Sequence, residues 1–176
     1  MISGRTLPRD EIKDVWAIDR SEVIDAVYQV ENGSLRLHPV HQDVPGWPPG
    51  EAETYTPILE ACHDRGGWVY GLFDEDRLIG AAVLESQFIG ERGDQLQLKF
   101  LHVSRTYRSQ GWGQRLFGLA KAEAAQRGAK SLYVSATPSE HTIRFYLRLG
   151  CNLAAEPDAA LYELEPEDIH LECAIG

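Results

Sequence analysis

The chain has 176 residues, 43% hydrophobic and 25% charged, a globular balance that excludes a disordered or fibrous class and predicts one domain over residues 1–176. A formal net charge of −10 and a pI near 5.0 exclude a nucleic-acid backbone binder, whose surface must be basic; an acidic surface keeps a protein dispersed and suits a cationic or amine-bearing partner. No apolar stretch reaches signal-peptide length, and none approaches the ~18 residues of a membrane span. The expectation is therefore a soluble, cytoplasmic protein without a membrane partner, its Cys62, Cys151 and Cys173 reduced thiols with neither disulfide framework nor zinc spacing.

In chain order, Ile2–Leu7 is a short strand candidate. Pro8 and the acids Asp10 and Glu11 then start a helix to Ile18, with Ile12, Val15, Trp16 and Ile18 as its apolar stripe. Asn32-Gly33 separates two strand-like runs, Asp25–Glu31 and Ser34–Val40, and predicts a tight hairpin, since both central turn positions need positive φ. His41–Glu53, with three prolines and two glycines around Trp47, is an irregular connector of the length that usually serves a function. Thr54–Asp64 is a helix stopped by Gly66-Gly67. A second hairpin joins Trp68–Phe73 to Arg77–Glu85, and the loop Ser86–Asp94 leads into a strand from Gln95.

The strand from Gln95 breaks at a polar turn and restarts as a helix over Gly111–Arg127, with Leu116, Phe117, Leu119, Ala120 and Ala124 inward and Gly128 beyond its end. Ser131–Ala136 is a short buried strand. Ser139 caps a helix to Leu149, in which Glu140 and Arg144 pair at i,i+4. Leu161–Glu163 and Ile169–Ile175 are closing strands. Neither repeat nor linker interrupts the pattern.

The chemistry concentrates between Gln95 and Leu116. A strand feeding a glycine-bearing turn and a helix N-terminus is an anion site, because the first amides of a helix lack internal partners and the dipole adds positive charge there. Gly111 and Gly113 let a backbone approach a pyrophosphate, and Arg108 offers a forked cationic donor. Leu116 stands where a dinucleotide fingerprint needs its third glycine, and no Gly-Lys-Ser/Thr follows for a P-loop. His38 and His41 with Asp43 sit around a proline in an irregular stretch, which spoils a metal site; none is expected.

Arg108-Ser-Gln-Gly111-Trp-Gly113 resembles the Arg/Gln-x-x-Gly-x-Gly/Ala signature of the GNAT superfamily of acyl-CoA-dependent N-acyltransferases. Leu101-His-Val-Ser-Arg-Thr-Tyr107 is similar to that family's fourth strand, and Phe145-Tyr-Leu-Arg-Leu-Gly-Cys151 to its Phe-Tyr-x-x-Leu-Gly-Phe segment. The resemblance implies an α/β fold: a mixed, mostly antiparallel sheet splayed between its fourth and fifth strands and flanked by about four helices. It implies acetyl-CoA as co-substrate, with the pyrophosphate on Arg108, Ser109, Gln110, Gly111, Trp112, Gly113 and Gln114. The pantetheine arm then runs along Leu101, His102 and Val103, with Ser139 and Thr142 beside it. The amide near Val103 would polarise the thioester, an oxyanion role worth ~3–4 kcal/mol.

Tyr146 matches the family's general acid for the departing thiolate, and its spacing from Ser139 and Thr142 puts all three on one helical face. Two departures stand out. Gln97 aligns with a glutamate base of some members and takes up no proton at neutral pH, and Ser139 replaces a longer-reaching asparagine. The base therefore stays open among His102, Glu85, Asp43, Glu53 and water. The expected reaction is acetyl transfer to a primary amine of a small molecule or peptide by direct attack; the alternative is a non-catalytic acyl-CoA-binding module. The acceptor is expected between the first helices, the His41–Glu53 loop and the Ser86–Asp94 loop. A homodimer is the assembly that the resemblance allows.

Overall fold

The computed structural model describes residues Met1–Gly176. In chain order its elements are β1 (Ile2–Thr6), a 3-10 helix (Arg9–Ala17), β2 (Glu22–Glu31), β3 (Ser34–Val44), α1 (Glu51–Asp64), β4 (Trp68–Asp74), β5 (Arg77–Leu84) and β6 (Gln95–Val103). A 3-10 turn (Arg105–Tyr107) follows, then α2 (Trp112–Gln126), β7 (Ser131–Ala136), α3 (Glu140–Arg148), β8 (Asn152–Leu153), α4 (Ala159–Leu164) and β9 (Ile169–Ala174). Seven strands form one sheet in the order β1-β4-β5-β6-β7-β9-β8, while β2 and β3 form a separate ribbon. All neighbours in the large sheet are antiparallel except β6 and β7. The expected mixed α/β class, four α-helices and an opening between the fourth and fifth strands of the sheet are all present.

Two apolar layers cover the two faces of the sheet. Leu96, Leu98, Leu116, Phe117, Leu132 and Ile143 belong to the layer under α2 and α3. Ile12, Val15, Ile18, Leu59, Val83 and Phe100 belong to the layer under α1 and the first 3-10 helix. That first helix differs from expectation in type. Its fully buried residues, Ile12, Val15 and Ile18, recur every third position, which a three-residue turn aligns and a 3.6-residue turn does not. The ribbon is longer than predicted, but its turn is as expected: Asn32 and Gly33 have φ of 53° and 77°.

Three expectations are corrected. The irregular connector shrinks to residues 45–50, because β3 extends to Val44 and α1 begins at Glu51. Leu161–Glu163 is helix, not strand: Asp158 caps α4 by accepting from the Leu161 amide at 3.1 Å, a local signal strong enough to override the apolar run. Cys151 and Cys173 are not free thiols but a disulfide, brought together because Cys151 follows α3 directly and β9 runs alongside β8.

The site is positioned by how β6 leaves β7. The two strands pair only over Gln95–Gln97 against Ser131–Tyr133; from Leu98 to Val103, β6 has β5 on one side and a free edge on the other. Within that stretch a bulge at Lys99 sets Phe100 opposite Val83 and Leu98 opposite Leu84. A bulge shifts the two-residue alternation by one. Gln97, Lys99, Phe100 and His102 therefore line one cavity together, while Leu98, Leu101 and Val103 face the layer under α2 and α3.

Candidate active site

The turn after β6 is built as an anion cradle. Ser109 and Gly111 have φ of 62° and 89°, left-handed values that turn the chain sharply into the helix. None of the backbone N–H groups from Ser109 to Gln114 has a partner within the protein; the first amide satisfied in α2 is that of Arg115, on the Gly111 carbonyl at 3.0 Å. Six free donors around a helix N-terminus form a strong anion site. Ser109 in the left-handed region costs roughly 1–2 kcal/mol, a local strain that the cradle geometry imposes.

The two motif glycines have different duties. A Cβ at Gly111 would meet nothing within 4 Å, so its role is the positive φ. A Cβ at Gly113 would lie 3.2 Å from the Phe145 ring, so Gly113 lets α2 approach α3. Arg108 requires a correction. Its guanidinium does not reach toward the cradle: it donates to the carbonyls of Val103 at 2.9 Å, Ser21 at 2.9 Å and Asp19 at 2.8 Å. Its own amide donates to the Arg105 carbonyl. Arg108 clamps the end of β6 to the residues that lead into the ribbon.

Leu101 and His102 are half-buried on the free edge of β6 and Val103 is buried. Ser139 begins α3, but its hydroxyl caps no amide; it donates to Thr142 Oγ1 at 2.9 Å. The tail of β7 is closed from the other side, where the Tyr28 amide of β2 donates to the Pro138 carbonyl at 2.8 Å. Tyr146 is buried against Phe117 and Phe145, in the same layer as Val103. No protein group hydrogen-bonds to its hydroxyl, and burial pushes its phenol further above the usual value, so it stays protonated at physiological pH.

On the opposite face of β6 lies a cavity of about 390 Å³. Its inner wall is β6 and the end of β7, with Gln97, Lys99, His102, Ser135 and Thr137; its outer walls come from α1 and α4. Trp47 anchors one side, edge-on to Trp16 at 4.9 Å and stacked on Phe100 at 5.8 Å, with its indole N–H on the Ile18 carbonyl at 2.9 Å. Arg20 lies over the Trp47 ring, 5.3 Å from its centroid. Three carboxylates, Glu51, Glu165 and Asp168, share the cavity.

Burial raises Glu51 and Asp168 above the ordinary carboxylate range, and Glu165 adds to both effects. Desolvation pushes His102 down to about 3, reinforced by Arg20 and Arg108, so its imidazole is neutral. Of the base candidates, only His102 and Gln97's position belong to this cavity. Glu85 is committed to Arg65 at 2.7 Å under α1, Asp43 pairs with His41 on the exposed ribbon, and Glu53 is on the solvent side of α1.

The sequence expectation of a wall from Ser86–Asp94 is overturned. That loop precedes β6 at the end where β6 and β7 are paired, whereas the opening lies past Gln97. The fourth wall is α4 with the segment to Asp168, which sequence reading missed. Pro157-Asp158 was the signal available, a proline and an N-cap residue before an apolar run.

A match to the acetyltransferase (GNAT) family model covers residues 26–151. The chain belongs to the GNAT acetyltransferase family. Solved structures agree with this acetyltransferase in fold: a nourseothricin acetyltransferase is 23% identical with a TM-score of 0.73 over 99% of each chain. A Bacillus anthracis strain Ames protein in complex with acetyl coenzyme A, provisionally assigned as a streptothricin acetyltransferase, is 17% identical with a TM-score of 0.67 over 99% of each chain. The ribosomal-protein-S18-alanine N-acetyltransferase of Escherichia coli is 17% identical with a TM-score of 0.62, over 100% of this chain and 95% of its own. Among curated proteins, no sequence matches significantly. No helix of the acetyltransferase is long and apolar enough to cross a membrane.

Proposed function

We propose that the protein transfers the acetyl group of acetyl-CoA to a primary amine by direct attack, as one domain over residues 1–176 and in the cytoplasm, where acetyl-CoA is abundant. The observation that carries this reading is the run of unpartnered amides from Ser109 to Gln114 at the end of a strand with a free edge. The cradle suits the coenzyme A pyrophosphate, and the edge from Leu101 to Val103 offers backbone groups to the pantetheine amides. The acyl carbon then lies at the opening between β6 and β7, with the donor on the α2–α3 side and the acceptor entering from the cavity.

Tyr146 is assigned the acid step. Its phenol, neutral and without a protein partner, donates to the sulfur as the C–S bond breaks, which avoids release of a bare thiolate. Structural neighbours are named for acceptors as different as nourseothricin and the alanine of a ribosomal protein, so the acceptor must be read from this chain's own cavity. Aromatic walls beside Glu51, Glu165 and Asp168 fit a cationic amine, small or peptidic, through charge and cation–π attraction.

The test is thiol release from acetyl-CoA across a panel of amines. Wild-type turnover with at least one cationic amine is expected. Tyr146→Phe should lower kcat by about 10²–10⁴-fold with the affinity for coenzyme A retained. A variant with wild-type kcat at every pH tested removes Tyr146 from the reaction.

A further inference from the structure

An ammonium that becomes an amide loses two protons from nitrogen. In the acetyl transfer proposed above, on which this inference rests, one proton ends on the thiol sulfur through Tyr146 and the other must leave to solvent. On β6, Gln97 takes up no proton, and desolvation with the charges of Arg20 and Arg108 disfavours a proton on His102. We propose that Asp168, on the segment between α4 and β9, is the catalytic base that takes this second proton.

The assignment follows from register. β6 and β7 are last paired at Gln97 and Tyr133; past that pair, the next rung on the cavity face is Lys99 and Ser135. Asp168 is fixed at that rung, its Oδ2 accepting from Ser135 Oγ at 3.1 Å, and it lines the cavity on the acceptor side. The other two carboxylates belong with α1 rather than with β7. Glu165 Oε1 is held by the Tyr55 hydroxyl of α1 at 3.2 Å, and Glu51 starts α1. Asp168 is the one carboxylate placed on the lip through which the amine must reach the acyl carbon.

The segment carrying Asp168 is held rigidly. His170 of β9 is buried opposite Ser135, with Nε2 3.1 Å from the Glu165 carbonyl and Nδ1 2.6 Å from the Tyr133 hydroxyl. That hydroxyl also accepts from the Asp158 amide at 2.9 Å. One arrangement satisfies every group: Asp158 N–H to Tyr133, Tyr133 O–H to Nδ1, and Nε2–H to Glu165. Both ends of α4 are thereby tied to the core.

The titratable groups around Asp168 come from every wall: Glu165 beside it, Glu51 and Tyr55 on α1, Lys99 and His102 on β6, Arg20 after the first 3-10 helix and the neutral His170 on β9. Burial and Glu165 raise its carboxyl, while the bond from Ser135 and the charge of Arg20 oppose them. A carboxylate raised toward neutrality is a stronger base than one in water. In the step itself, the ammonium N–H bond breaks toward Asp168 and the freed pair on nitrogen attacks the acetyl carbon. As the C–S bond breaks, the remaining excess proton on nitrogen replaces the one that Tyr146 gives to sulfur. Asp168 then returns its proton to water.

The experiment compares Asp168→Asn with wild type using cadaverine, lysinamide and spermidine as ammonium-bearing probes and hydroxylamine as a probe that is largely neutral near neutral pH. Asp168→Asn is expected to lower kcat/KM for the alkylamines by about 10²-fold or more and to abolish the acid limb of their pH profile. Its loss with hydroxylamine should be under about tenfold, since that acceptor needs less deprotonation. Asp168→Glu should restore the limb. Ser135→Ala keeps the carboxylate but removes the bond that favours its charged form, so its acid limb should move to higher pH even if Asp168→Asn does not fold. Equal losses with both acceptor types, or an acid limb unmoved in Ser135→Ala, would overturn the assignment. A wild-type protein that acetylates none of the probes overturns acetyl transfer itself, and this assignment with it; wild-type turnover with an unaffected Asp168→Asn overturns Asp168 alone.

Discussion

The two sides of β6 solve different problems with different materials. In the proposed reaction the donor side relies on backbone, the free amides of the Ser109–Gln114 turn and the open edge of β6, with a single side chain, the phenol on α3. On the acceptor side they are side chains drawn from five elements far apart in sequence, from Trp16 to Asp168. A backbone cradle needs a fixed conformation, hence glycine at a positive φ and a fixed spacing to the helix start. A side-chain cavity needs only that suitable groups converge, so it can be rebuilt for another acceptor without disturbing the cradle. The bulge at Lys99 makes this division possible, because it sends Phe100 and His102 to one side and Leu101 and Val103 to the other.

The largest effect that bears on this division is expected at Arg108. The signature places a cation beside the phosphates, but its guanidinium serves three backbone carbonyls. Arg108→Ala leaves half-buried acceptors unpaired at about 1–3 kcal/mol each where water does not replace the donor. A loss of about 4 kcal/mol in unfolding free energy is expected, measured by denaturant titration. Coenzyme A affinity of the folded fraction, by calorimetry, should fall by less than about tenfold. Unchanged stability with a hundredfold loss of affinity would instead make the guanidinium a phosphate ligand and break the description of a backbone donor side.

Next in size is the disulfide. Cys151 and Cys173, both 2% exposed, tie the end of the helix that carries Tyr146 to β9, across a sequence separation of 22. Closing a loop of that length stabilises by about 3 kcal/mol on the chain-entropy account. Cys151→Ser is therefore expected to lose about 3 kcal/mol, and thiol counting on the wild-type protein under denaturing, non-reducing conditions should find one free cysteine per chain, Cys62. Three titratable thiols would restore the reduced state that the sequence suggested.

How much was legible follows from the same division. The donor side lies on contiguous sequence: a strand, a glycine turn and a helix announce themselves through local propensity, and the block around Phe145 and Tyr146 is equally local. What local reading misassigned was the direction of the Arg108 side chain, since its carbonyl partners Asp19 and Ser21 lie near the start of the chain. The acceptor side was legible only where a single residue declared itself, as Trp47 does in its proline-rich connector. Glu165 and Asp168 carried no periodic signal, and the helix that precedes them was masked because Leu161-Tyr162 also reads as strand. Cys151 and Cys173 have no motif spacing; only the pairing of β8 with β9 brings them together.

The smallest effect expected separates the acceptor side from the donor side most cleanly. Glu165→Gln keeps an acceptor for the Tyr55 hydroxyl, so the α1–α4 contact survives while one negative charge leaves the cavity. An ion pair in a partly solvated cavity contributes about 1 kcal/mol, so KM for a dicationic acceptor such as cadaverine should rise roughly three- to tenfold. KM for acetyl-CoA should not move, because β6 and its bulge lie between Glu165 and the cradle. The charge removed also raises Asp168. Its loss lets that carboxyl fall toward the ordinary range, so the acid limb of the rate profile should shift to lower pH and activity should extend further into acid. A KM for acetyl-CoA that rises in parallel would mean that the two faces of β6 are coupled, and that donor and acceptor do not bind to independently built halves.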